Sequence, residues 1–94
     1  MNLGVMQLHL KIPGCRSLKE KRSHLKPYLA RIHHQFNVSI AEVGLNDLWQ
    51  ESLIAVALVS NDQDYTNHIL DKLIDYTEKH FYDIEIIDQK IELL

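Results

Sequence analysis

The sequence predicts an α+β domain with elements in the order β-α-β-β-α-β, on three observations. Residues 3–12 alternate apolar and polar side chains and stop at Pro13-Gly14. Two longer segments carry apolar residues at helical spacing behind polar capping residues, and Leu53–Val59 is an uninterrupted apolar run of strand length.

In the first segment Met6, Leu8, Leu10 and Ile12 alternate with Gln7, His9 and Lys11, the period-two pattern of a half-buried strand. Ser17-Leu18-Lys19-Glu20 is a capping box: the Ser17 hydroxyl accepts the Glu20 amide proton and Glu20 reaches back to the Ser17 amide. A helix is therefore expected to start at Leu18. Leu18, Leu25, Leu29, Ile32 and Phe36 then form one apolar stripe. Pro27 interrupts this pattern by removing a helical donor and crowding the Ser23 carbonyl, which predicts a kink or two shorter helices.

Asn37–Leu45 and Leu53–Val59 read as a β-hairpin, with Asn46 and Asp47 near its turn. Ser60-Asn61-Asp62-Gln63 repeats the capping logic ahead of a second stripe, Tyr65, Ile69, Leu73 and Tyr76, flanked by Leu70 and Ile74. That helix should end near His80. Ile84, Ile86, Ile87 and Ile91 supply a fourth strand whose alternation slips between Ile86 and Ile87, the mark of a bulge.

Two such β-α-β units with right-handed crossovers give a ferredoxin-like sandwich: a four-stranded antiparallel sheet, strands one and three central, both helices on one face. The apolar run Leu53–Val59 reads as a strand covered on both faces. Two helices cover only one, so a homodimer or higher oligomer is expected through the helix-free face, where Leu3 and Val5 also lie.

At 94 residues the chain suits a single domain, and 46% hydrophobic with 24% charged residues is an ordinary globular balance. No apolar stretch approaches the roughly 20 residues of a membrane-spanning helix, and the N-terminus lacks a basic segment followed by an apolar one. A cytoplasmic location is the expectation, and the lone Cys15 fits a reducing compartment.

The net charge of -3 conceals a strong asymmetry. Lys11, Arg16, Lys19, Lys21, Arg22, Lys26 and Arg31 precede residue 35 with Glu20 as the only acid, whereas Lys72, Lys79 and Lys90 face all the remaining acids. On the first helix Lys19, Arg22, Lys26 and His33 fall within about 60° of one another, with Lys21, His24 and Arg31 on the other side of the apolar stripe. On the second, Asp64, Asp71, Asp75 and Glu78 fall within about 60° on the face opposite its apolar stripe.

A basic helix of this kind suits structured RNA, with Lys19, Lys21, Arg22, Lys26 and Arg31 as phosphate contacts. The competing reading is an oligomeric protein-interaction or small-ligand module in which the basic helix only balances the acidic one.

No phosphate-cradling glycine loop, nucleophile elbow or zinc signature occurs, so no enzyme, cofactor or metal is expected. The six histidines include no His-x-x-x-His, and His33 and His34 diverge by about 100°. Cys15 precedes the capped helix beside Arg16, where the helix dipole favours a thiolate. Without a recognisable base or resolving cysteine, a packed thiol is expected. Trp49 and Gln50 follow the hairpin turn; packing in the core or the hairpin is expected of Trp49, with stacking on a base or anchoring a partner as the alternative.

Taken together, His9-Leu10-Lys11-Ile12-Pro13-Gly14, Ser17-Leu18-Lys19-Glu20-Lys21-Arg22, Phe36-Asn37-Val38-Ser39-Ile40-Ala41-Glu42-Val43, Asp47-Leu48-Trp49-Gln50 and Val59-Ser60-Asn61-Asp62 closely resemble the bacterial YlxP-like family of uncharacterised proteins over nearly the whole chain. The resemblance implies a ferredoxin-like fold. Through that family's genomic company among translation and ribosome-maturation genes, it also implies a ribosome-associated role, with ribosomal RNA or a ribosomal subunit as partner. It implies no catalytic residue.

Overall fold

The computed structural model describes residues 1–93. Its elements are β1 (Asn2–Lys11), α1 (Leu18–Phe36), β2 (Ser39–Gly44), β3 (Glu51–Ser60), α2 (Gln63–His80) and β4 (Glu85–Leu93). The strands form one antiparallel sheet in the order β2-β3-β1-β4, so β1 and β3 are central and the fold is the ferredoxin-like sandwich. The alternation in β1 determines its orientation. Met6, Leu8 and Leu10 are fully buried under the helices together with Ile54 and Val56 of β3.

The Ser17 hydroxyl caps α1 by accepting the Glu20 amide at 3.0 Å, while the Glu20 carboxylate accepts from the Arg16 amide at 3.1 Å, one residue earlier than a standard capping box. Pro27 neither ends nor divides the helix, contrary to the expectation of two shorter ones. It lies exposed, so water can reach the carbonyl that has lost its donor.

The α2 cap is the Asp62 carboxylate, which accepts from the Asp64 amide at 3.0 Å; Ser60 instead bonds to the Asp62 backbone and to Thr66. The buried face of α2 is Thr66, Leu70, Leu73 and Thr77, rotated from the predicted stripe, and Tyr65 is exposed. The rotation is possible because both threonines are satisfied: Thr66 pairs with Ser60 at 2.7 Å, and Thr77 donates to the Leu73 carbonyl at 2.9 Å.

The predicted bulge in β4 is present, with the register against β1 shifting between Asp88 and Ile86 and leaving Ile87 between them. A second bulge lies between Glu42 and Gly44, where an added Cβ would meet the Leu53 Cδ2 at 3.0 Å, so any side chain there requires Leu53 to shift. The helix-free face, where the sequence predicts a partner copy, is open within one chain. Leu53, Ala55 and Ala57 there are only half-buried, and Val59 is 68% exposed.

Tyr28 of α1 joins the two helices, its hydroxyl 2.8 Å from Thr77 Oγ1 and its ring edge-on to Phe81. Burial raises its pKa to about 12, with the Thr77 hydrogen bond opposing the shift. The folded state thus holds this proton more tightly than the unfolded chain, so stability is intact below about pH 10 and lost as pH rises through 12. Urea denaturation at rising pH should show this loss in the wild type, and Tyr28→Phe should make the curve flatter over that window.

Candidate functional site

The residues expected to contact phosphate divide into three environments. Lys21 is 1% exposed and cannot reach an external anion, which corrects its assignment to the RNA-binding set. It heads the buried face of α1, in line with Leu25, Tyr28 and Ile32. Its ammonium lies among five oxygens: the carbonyls of Leu45 at 3.1 Å, Asn46 at 3.3 Å, Leu48 at 2.8 Å and Glu51 at 3.0 Å, and the Glu42 carboxylate at 2.9 Å. Glu42 is held in turn by the Ser52 hydroxyl at 2.6 Å and the Asn46 amide at 3.3 Å.

An ammonium has only three N–H bonds, so the cage combines hydrogen bonds with the field of converging carbonyl dipoles. Its effect is to fasten the β2–β3 loop to the start of α1. Within that loop Leu45 adopts a positive φ of 57°, a conformation sparsely populated by non-glycine residues, and the Leu48 amide closes a turn onto its carbonyl at 3.1 Å. Gln50 fastens the far end, its side chain donating to the Cys15 carbonyl at 3.1 Å and its carbonyl accepting from the Ile12 amide at 2.8 Å.

This clasped loop presents Leu48 at 43% and Trp49 at 54% exposure, so Trp49 is displayed on the surface, not packed into the hairpin. The indole is thus held in solvent by a loop whose backbone is fastened at both ends.

Lys19, Arg22 and Lys26 are exposed on one flank of α1, as their spacing predicts. Arg31 is exposed but lies on the other flank and turns toward α2, where its Nε donates to the Tyr76 hydroxyl at 2.7 Å and its guanidinium sits 6.0 Å from that ring. It is therefore not part of the same stripe. Among the described residues, no lysine or arginine of α1 pairs with a carboxylate of α2. The acids Asp64, Asp71, Asp75 and Glu78 are exposed on their own helix.

Sequence reasoning did not connect a further group. Cys15 is buried ahead of α1, and its thiol, a Glu20 carboxylate oxygen and a His24 ring nitrogen all lie within 4.8 Å of one another. His24 Nδ1 is 2.7 Å from the Asp83 carboxylate, which comes from the segment between α2 and β4. The pKa of Cys15 is raised, first by burial and then by the charges of Glu20 and Asp83, against a smaller opposing effect of Lys21. The helix start therefore does not yield the thiolate that its dipole alone favours. The Glu20–His24 spacing was legible, since residues four apart share a helix face, but nothing in the sequence brings Asp83 to them.

A family model described as "Protein of unknown function (DUF503)" matches residues 3–91. The chain is 36% identical over 83 residues to "Uncharacterized protein YlxP" of Bacillus subtilis (strain 168), covering 88% of this chain and 89% of that protein. Among solved structures, "De novo designed protein Foldit4" aligns with a TM-score of 0.54 at 11% identity, covering 98% of this chain and 96% of that one. The designed protein LFR1 1 "with ferredoxin fold" aligns at 0.52 with 9% identity, covering 100% and 83%. At these identities the structural matches speak for the fold alone. No helix is long and apolar enough to cross a membrane among the described residues.

Proposed function

This chain belongs to the DUF503 family of proteins of unknown function, and we propose that it is a non-enzymatic accessory protein that binds structured RNA in the ribosome or an assembling subunit through the basic flank of α1. The observation that carries the reading is that Lys19, Arg22 and Lys26 are exposed together and unpaired with α2 among the described residues. Internal ion pairing would have consumed those charges; instead they stand ready to displace counterions from a phosphate backbone. Trp49 adds what electrostatics lacks, a π face for an unstacked base, which is how proteins read loops and bulges in RNA. The exposed acids of α2 repel phosphate and restrict docking to one orientation.

The untagged protein should co-sediment with ribosomal subunits at low salt and be released at high salt. Absence from the subunit fractions at low salt contradicts the reading.

A second reading rests on the open sheet face, where half-buried Leu3, Val5, Leu53, Ala55 and Ala57 and exposed Val59 form an apolar surface. On that reading the protein is an oligomeric interaction module, self-associating at micromolar concentration in sedimentation experiments.

A further inference from the structure

We propose that Cys15, Glu20 and His24 form a binding site for a borderline-soft divalent cation of the zinc type, with Asp83 orienting His24 from behind. Thiolate, carboxylate and imidazole are the three donor types that Zn²⁺ takes from proteins, and three protein ligands leave room for water on a tetrahedral ion. The three donor atoms already lie within 4.8 Å of one another, so small side-chain rotations bring them to the separations of a common coordination sphere.

The strongest support lies behind the histidine. The Asp83 carboxylate takes His24 Nδ1 at 2.7 Å, which leaves Nε2 as the nitrogen free to ligate. A carboxylate behind a ligating imidazole is the usual arrangement of zinc histidines, because it fixes the tautomer and raises ligand basicity. Glu20 is anchored in the same manner, one oxygen accepting the Arg16 amide at 3.1 Å while the carboxylate remains exposed.

The charge environment distinguishes this site from a nucleophilic cysteine. A reactive thiol is made by neighbouring positive charge, whereas this one has a carboxylate oxygen of Glu20 within 4.8 Å. A neighbouring carboxylate disfavours a resting thiolate but attracts a divalent cation, and binding the ion to Cys15 Sγ releases the thiol proton to solvent. Cys15 and Glu20 flank the helix cap and Asp83 lies beyond α2, so an ion here would tie the start of α1 to the segment after α2.

Cobalt(II) titration of the untagged, reduced full-length protein tests the site, because cobalt bound to a thiolate gives an ultraviolet charge-transfer band that histidine and carboxylate sites lack. One equivalent of cobalt should produce the band, and zinc should displace it. Cys15→Ser should abolish it while far-ultraviolet circular dichroism remains native. Asp83→Asn should keep the band but weaken affinity by about 10–100-fold. Absence of the band in the folded wild type overturns the proposal, and so does zinc affinity unchanged in Cys15→Ser.

Discussion

Replacing Lys21 with methionine is expected to destabilise the protein by about 3 kcal/mol, the lower end of the range that follows removal of one partner from a buried ion pair. Methionine matches the length of the lysine stem, so little packing is lost and the measurement isolates the charge. What remains is the Glu42 carboxylate, 19% exposed, with only Ser52 and Asn46 to satisfy it, and four backbone carbonyls, three of the loop and that of Glu51, without their shared donor. The residual exposure of Glu42 is what keeps the cost below the maximum. Urea denaturation gives the value directly. The double variant Lys21→Met/Glu42→Gln should recover part of the loss, because it removes the uncompensated charge. A Lys21→Met protein as stable as the wild type would show that the cage contributes nothing.

Charge reversal at Lys19, Arg22 and Lys26 is expected to reduce affinity for structured ribosomal RNA by about a hundredfold or more at low salt, since three cations that release counterions become three anions that repel. These residues are exposed, so the variant should unfold at a urea concentration close to that of the wild type. Neutralising Asp71, Asp75 and Glu78 on α2 serves as the counterpart. If the acids orient docking by repulsion, that variant should bind RNA at least as tightly as the wild type. Trp49→Ala should cost about 1–3 kcal/mol of binding with little change in salt dependence, because stacking releases no counterions. Affinity that survives charge reversal would transfer the function to the sheet face or the clasped loop.

The order of elements was legible because the two periodicities are clean: Met6, Leu8 and Leu10 alternate without interruption, and Leu25 and Ile32 fall on one helical stripe. The slip between Ile86 and Ile87 marked a real bulge for the same reason. Where the reading failed, polar residues had been sorted by type instead of position. Thr66 and Thr77 are core residues because hydroxyl and carbonyl partners await them, which moved the buried face of α2 away from the stripe counted in apolar residues alone.

Lys21 is the clearest instance. Its place four residues before Leu25 and seven before Tyr28 puts it on the core face, yet the cage that makes burial tolerable is built from loop carbonyls far along the chain. Backbone oxygens carry no sequence signature. Trp49 departs from expectation as well: an aromatic after a hairpin turn is usually packed, whereas this one is 54% exposed, next to a residue whose carbonyl Lys21 holds. Asp83 meets His24 across 59 residues of sequence, a contact that the fold alone creates.

The most direct test of the RNA-binding account is the slope of log affinity against log salt for structured ribosomal RNA, measured for the wild type and the Lys19, Arg22, Lys26 charge-reversal variant. At about 0.7–0.9 per phosphate contact, loss of three contacts should flatten the slope by roughly 2–3. Equal slopes for the two proteins would contradict the assignment of the basic flank of α1 as the phosphate-binding surface.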